Sequence, residues 1–185
     1  MSIPNPQPKV VTMEDYLALP DDTRAEVFDG VLTDMASPSR THQTILMEIS
    51  SLLHSYVKKK AGNCTVLPAP FDVKLSDHPL TIVQPDLMIV CDKKKLEENM
   101  CNGAPDFIIE IVSPGNPSDD YIKKAYYYKT YGVREYWIVD PKRRKITVNY
   151  FEEDLISIVY DFDATIKVNI YEDLYIDFSQ IAKIL

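Results

Sequence analysis

The segment from Val83 to Asp140 constrains the fold of this chain more than any other. It reads VQPDLMIV, a polar interval, DFIIEIVSP, then a polar stretch containing DDYIKKAYYYKTYG, and then VREYWIVD. Phe107 to Val112 is apolar on both faces apart from Glu110, the pattern of a strand covered on two sides. The run Ser113-Pro114-Gly115-Asn116-Pro117 stops that strand. Asn116 or Ser118 can cap a following helix, with Pro117 suited to its first turn. The spacing predicts that helix from about Pro117 to Tyr131, ending at Gly132, and then a strand from Glu135 to Val139. Strand, helix and strand in this length imply a right-handed parallel crossover unit.

The rest of the chain builds outward from that unit. Thr12 before MEDYLAL, with Asp15 three positions on, has the form of a helix N-cap, and Pro20 closes the helix. Arg24 to Phe28, Asp29-Gly30 and Val31 to Met35 predict a hairpin, because Asp-Gly suits a tight primed turn. From about Thr41 to Lys60, Ile45, Ile49, Leu52, Leu53, Tyr56 and Val57 recur at helical spacing, and Gly62 is the expected stop. Cys64 to Leu67 and Phe71 to Leu75 predict strands, with Pro68 and Pro70 favouring an edge or a bend. Val83 to Val90 reads as one short strand, and Lys94 to Met100 as a short helix or turn. Beyond Asp140-Pro141, alternating Ile146, Val148 and Tyr150, then Leu155 to Tyr160, then Ile166, Val168 and Ile170 predict antiparallel strands extending the sheet. A short helix is expected around Ser179 to Ile184. The expected class is α/β (α+β), a central mixed sheet flanked by helices, with an N-terminal helix and β-hairpin.

At 185 residues the chain is most simply one domain, residues 11–185, behind a Pro-rich, poorly ordered lead-in at 1–10. A domain of this size buries roughly 70% of its unfolded surface. No run approaches the roughly 20 apolar residues of a membrane span, and the N-terminus lacks a secretory signal pattern. Cys64, Cys91 and Cys101 show no CxxC pairing, which argues against a disulfide framework or a Cys-based zinc site and for a reducing cytoplasm. The net charge of −8 argues against a large nucleic-acid footprint. Three local basic clusters remain: Lys58 to Lys60, Lys93 to Lys95, and Lys142-Arg143-Arg144-Lys145. They are either solvated helix ends and a hairpin tip or a phosphate-contacting rim around an acidic centre.

Two acids sit awkwardly among apolar residues. On strands with period two, Asp86 shares a face with Met88 and Val90, and Glu110 with Ile108 and Val112. An unpaired buried carboxylate costs several kcal/mol or stays protonated. A divalent cation relieves that cost. Asp86, Glu110 and a backbone carbonyl such as that of Ile111 would make an all-oxygen site suited to Mg²⁺ or Mn²⁺. Such an ion activates water and neutralises a phosphodiester under attack. A nearby lysine, Lys124 or else Lys123, could stabilise that charge. The alternatives are strand-end salt bridges for the acids, and for Lys124 an exposed i,i+4 pair with Asp120.

At these residues the chain resembles a known family. QPDLMIV, IIEIVSP, the lysine of DDYIKKAYYYKTYGV, and EYWIVDP are similar to segments of the Uma-type family of restriction-endonuclease-like proteins. YLALPDDTRAEVFDGVLTDMASPSRTHQ resembles that family's opening, and YIDFSQIAKIL its end. The resemblance implies a PD-(D/E)XK nuclease fold and metal-dependent hydrolysis of DNA. The PD motif falls on Pro85-Asp86 and the second acid on Glu110. Val112 occupies the position where the motif lysine normally stands, and the resemblance carries the lysine to Lys124. It also implies accessory roles for Glu26 and His42, and a homodimer, because double-strand cleavage by this fold commonly uses two subunits. Two other classes compete: a nuclease-like fold serving as a binding or scaffold protein, and a metal hydrolase of a small phosphorylated compound.

Overall fold

The computed structural model describes residues 10–20, 23–113, 119–152 and 156–185. The elements in chain order are α1 (Met13–Leu17), β1 (Ala25–Phe28), β2 (Val31–Asp34), α2 (Arg40–Lys60), β3 (Thr65–Pro68), β4 (Asp72–Asp77), β5 (Leu80–Val83) and β6 (Leu87–Val90). They continue with β7 (Met100–Asn102), β8 (Phe107–Ile111), α3 (Ala125–Tyr131), β9 (Glu135–Asp140), β10 (Lys145–Tyr150), β11 (Ile156–Asp161), β12 (Thr165–Lys167), β13 (Tyr175–Asp177) and α4 (Phe178–Ala182). A π-helical turn, Asp119–Lys124, leads directly into α3. The architecture is mixed α+β.

The expected hairpin is β1–β2, in register Phe28 to Val31, with Asp29 and Gly30 at φ 50° and 77°. Both central residues are left-handed, as a type I′ turn requires. The predicted capping box is present at α1, where Thr12 and Asp15 exchange hydrogen bonds. Ser39 caps α2 through a bond from the His42 N–H to its Oγ at 3.2 Å. Residues Ile45, Leu46, Ile49 and Leu53 form the buried stripe of α2, whereas Leu52 is exposed. The left-handed residue that ends α2 is Ala61, at φ 49°, and not Gly62. The expected helix start at Asn116, Pro117 and Ser118 lies outside the described residues, as does the lead-in up to residue 9.

Two sheets carry the fold. The larger runs β11-β10-β9-β8-β6-β3 and the smaller β2-β1-β5-β4-β7. β8 and β9 are the predicted parallel pair, with Glu110 beside Ile138. The proline-flanked β3 lies at a sheet edge, as expected. The single strand expected over Val83 to Val90 is instead two strands in different sheets, joined by Gln84-Pro85-Asp86. Pro85 has no N–H to give a ladder, and the chain uses that break to change sheets. The helix or turn expected from Lys94 to Met100 is a 3₁₀ turn, Lys93–Lys95, and Met100 opens β7, parallel to β4. β12 does not extend the large sheet. It pairs with β13 in a separate ribbon, whose Ile166 and Ile176 pack with Phe178 into the core.

Alternation along β6 and β8 divides the core. Leu87, Ile89, Phe107, Ile109 and Ile111 pack with Ile45, Ile49 and Leu53 of α2 and with Trp137. Met88, Val90, Ile108 and Val112 face the other way, onto Val73 and Val83 of the small sheet and Tyr128 of α3. Truncating the fully buried Trp137 to alanine should cost about 3–5 kcal/mol. The even-numbered face, squeezed between the small sheet and α3, is the face that carries the acids.

Cys64 and Cys91 form a disulfide, with a sulfur–sulfur distance of 2.01 Å, which corrects the expectation of unpaired cysteines. The antiparallel register Thr65 to Val90 brings their neighbours opposite one another. The cysteine argument for a reducing cytoplasm therefore lapses. Among the described residues, no helix is long and apolar enough to cross a membrane.

Candidate active site

β6 and β8 are antiparallel in register Leu87 to Ile109 and Met88 to Ile108. One step further, that register sets Asp86 opposite Glu110, and cross-strand neighbours share a face. Asp86 is held from two sides. Its Oδ2 accepts the Ile111 N–H at 2.7 Å and lies 3.0 Å from His42 Nε2. His42 comes from the first turn of α2, and its Nδ1 is buried without a hydrogen-bond partner.

Glu110 lies on the same face, deeper along the sheet. Its Oε1 accepts from Lys124 Nζ at 2.9 Å and from the Tyr128 hydroxyl at 2.7 Å. Lys124 also lies 3.0 Å from Glu26 Oε1. Glu26 in turn accepts the Gln84 N–H at 3.0 Å, so the crossing point between the sheets helps to anchor it. Lys124 is 5% exposed rather than solvated, and it bridges two acids. Burial, and after it the charge of Glu110, raises the Tyr128 phenol well above its ordinary value. Tyr128 is thus a neutral donor to that carboxylate.

Glu26, His42, Asp86, Glu110, Ile111 and Lys124 all line one open pocket of about 480 Å³. Lys123 does not; its Nζ lies 3.8 Å from the centre of the Phe28 ring. The side chain of Asp120 lies outside the described residues. Two of the basic clusters are remote from the pocket. Lys58 to Lys60 end α2, and at 1.5 Å per residue they lie about 25 Å along it from His42. Lys93 to Lys95 follow the opposite end of β6 from Asp86. The third cluster follows β9 at the end of the sheet where Glu110 and Ile111 lie, with Arg143 near Asp140 and Lys145 bonded to Asp161.

The site has the donor chemistry of a hard cation. Asp86, Glu110 and the Ile111 backbone offer oxygen, and both recorded side-chain contacts of Asp86 fall on Oδ2 alone. Among the described residues, no three His, Cys, Asp or Glu side chains gather as a ready-made cage. Two carboxylates with remaining positions left to water and phosphate is the manner in which Mg²⁺ is commonly held. The residues present fit such an ion.

The family model "Uma2: Putative restriction endonuclease" matches residues 13–175. This chain belongs to the Uma2 family. A curated relative within reach of it is the "Uncharacterized protein slr1290" of Synechocystis, 21% identical over 168 residues, which cover 89% of this chain and 86% of that protein. A solved structure, titled as that of "a putative nuclease belonging to DUF820" from Anabaena variabilis, superposes with a TM-score of 0.78 at 22% identity. It covers 94% of this chain and 98% of its own. At that identity the likeness carries the fold alone. The chain therefore shares the fold of the Anabaena structure, and its family comes from the Uma2 match.

Two neighbours of the acids had local signals that the motif comparison did not use. Tyr128 stands four positions after Lys124, so a helix places it on the same face. Arg24 stands two positions before Glu26, just ahead of β1, and residues two apart in extended chain share a face. Arg24 lines the pocket too.

Proposed function

We propose that this Uma2 protein is a divalent-metal-dependent endonuclease that hydrolyses DNA phosphodiester bonds. The observation that carries the reading is the convergence of Asp86, Glu110 and Lys124 on one open pocket. Asp86 and Glu110, with the Ile111 carbonyl, are the residues that would hold Mg²⁺ or Mn²⁺. When bound, that ion supplies Lewis acidity and an activated water. The chain's own residues do the rest. The Ile111 N–H and His42 fix the orientation of Asp86. Tyr128 and Lys124 fix that of Glu110. The Lys124 ammonium, shielded from bulk water, is placed to stabilise negative charge developing on a phosphate. Glu26 limits where that ammonium can go, because its Oε1 lies 3.0 Å from Nζ. In this reading the chain is a single catalytic domain over residues 11–185 that acts as a homodimer on DNA.

The discriminating experiment is incubation of purified protein with supercoiled plasmid or single-stranded DNA and Mg²⁺ or Mn²⁺. Nicking by the wild type that is lost in Asp86→Asn and Glu110→Gln is expected. Undiminished cleavage in either variant sinks the residue assignment.

One observation favours a second reading, a nuclease fold retained for binding or scaffolding. Lys124 lies between Glu26 and Glu110, and His42 lies on Asp86, so the buried acids are partnered without any ion. Under this reading the plasmid stays intact with either metal, while the protein still binds DNA or another partner. A hydrolase of small phosphorylated compounds would use the same centre, and substrate profiling separates it from the nuclease.

A further inference from the structure

We infer that Arg24 is the anion-holding group of this pocket, which grips the non-bridging oxygens of a phosphodiester next to the acidic centre. The inference rests on the nuclease reading for its substrate class, but its observations are separate. Arg24 immediately precedes β1, its carbonyl accepts the Met35 N–H at 3.0 Å, and it lies two positions before Glu26. That spacing turns its side chain to the same side as the Glu26 carboxylate, and it lines the same pocket as Asp86 and Glu110.

The basic side chains that line the pocket differ in how they are engaged. Lys124 is shared by Glu26 and Glu110, and His42 is bonded to Asp86. Arg24 Nε is shut away from solvent with no hydrogen-bond partner, and no carboxylate among the described residues pairs with the guanidinium. A buried N–H on a permanent charge is costly to leave unmade. The pattern is that of a donor kept for a ligand, because a structural arginine in so acidic a pocket would have taken a carboxylate. The guanidinium presents Nε–H and Nη–H as a fork whose geometry matches two oxygens of a phosphate. The pocket is otherwise rich in carboxylates, Asp34 among them. Without a cationic partner for the phosphate those acids would repel it, and Arg24 supplies one whose charge is not already shared.

The test is titration of the whole protein, in EDTA so that nothing is cleaved, with inorganic phosphate and with a short DNA duplex. Wild type, Arg24→Gln, Arg24→Lys and Lys129→Gln are compared, the last removing one exposed charge from α3 as a control for net charge. Because the Arg24 Nε makes no internal bond, the variants should melt close to wild type. Loss of one charge-assisted contact predicts weakening of both ligands by about tenfold or more in Arg24→Gln. Arg24→Lys should fall between, since it keeps the charge and loses the fork, and Lys129→Gln should stay near wild type. Equal binding by wild type and Arg24→Gln overturns the inference, and so does a wild type that binds neither ligand. Phosphate held through Arg24 with no metal-dependent cleavage would keep the anion site and remove the nuclease reading. Cleavage as fast in Arg24→Gln as in wild type would do the reverse.

Discussion

Glu110 and Glu135 are both buried carboxylates on the adjoining parallel strands β8 and β9, and they are put to opposite uses. Glu135 is fully buried and is held by Trp137 Nε1 at 2.7 Å, Asn169 Nδ2 at 2.8 Å and the Ile170 N–H at 3.0 Å. It ties the chain after β12 to the large sheet through neutral donors. Glu110 has a lysine and a phenol as partners, a second carboxylate behind the lysine, and access to solvent through the pocket. A buried acid alone therefore does not mark a site. The mark is an acid that shares a cation with another acid at an opening.

The sharpest way to break this comparison is through activity. Glu110→Gln should lower DNA cleavage on the order of 10³-fold, as expected when several kcal/mol of metal-based transition-state stabilisation is lost. Glu135→Gln should cleave at close to the wild-type rate. Comparable losses in steady-state plasmid nicking would erase the distinction.

Stability should divide the two acids in another way. Lys124→Met leaves Glu26 and Glu110 buried without their shared cation, a change that should cost about 3–5 kcal/mol in urea unfolding. Millimolar Mn²⁺ should restore part of that loss, because an ion bound to the folded state adds stability by mass action. Glu135→Ala strands three donors and should cost about 3 kcal/mol, with no recovery on adding Mn²⁺. A metal response in the Glu135 variant, or none in Lys124→Met, would contradict the division.

The smallest expected effect is in pH dependence. Burial raises the Glu135 carboxyl above its ordinary value, against the pull of its hydrogen bonds. Its protonated form is thus favoured on folding, so its contribution to stability is greatest at low pH. That contribution falls as pH rises from the unfolded carboxylate value, about 4.3, toward the raised folded value. The difference in unfolding free energy between wild type and Glu135→Gln should decline through that window. A flat difference would show that folding leaves the Glu135 carboxyl at its unfolded value, and a rising one that the fold favours its ionised form.

Much of this was legible from residue order, and the exceptions have physical causes. Period-two alternation placed Asp86 and Glu110 on the face they occupy, and the two apolar runs around a helix gave the parallel β8–β9 pair. Asp29-Gly30 gave the hairpin outright. Register is not contained in such patterns, so the disulfide between cysteines 27 positions apart was invisible until β3 lay against β6. The split of β5 from β6 was hidden because both strands are apolar and only Gln84-Pro85-Asp86 separates them. Glu26 and His42 came from family resemblance, and only tertiary packing puts Glu26 against Lys124 and His42 against Asp86.

Calorimetric titration of the wild type with Mn²⁺, beside Asp86→Asn, Glu110→Gln and Glu135→Gln, tests the central claim most directly. Binding by the wild type and by Glu135→Gln, with loss in the other two variants, is the expected result. A wild type that takes up no Mn²⁺, or Asp86→Asn and Glu110→Gln variants that bind it as well as wild type, would contradict the assignment of this pocket as a metal centre.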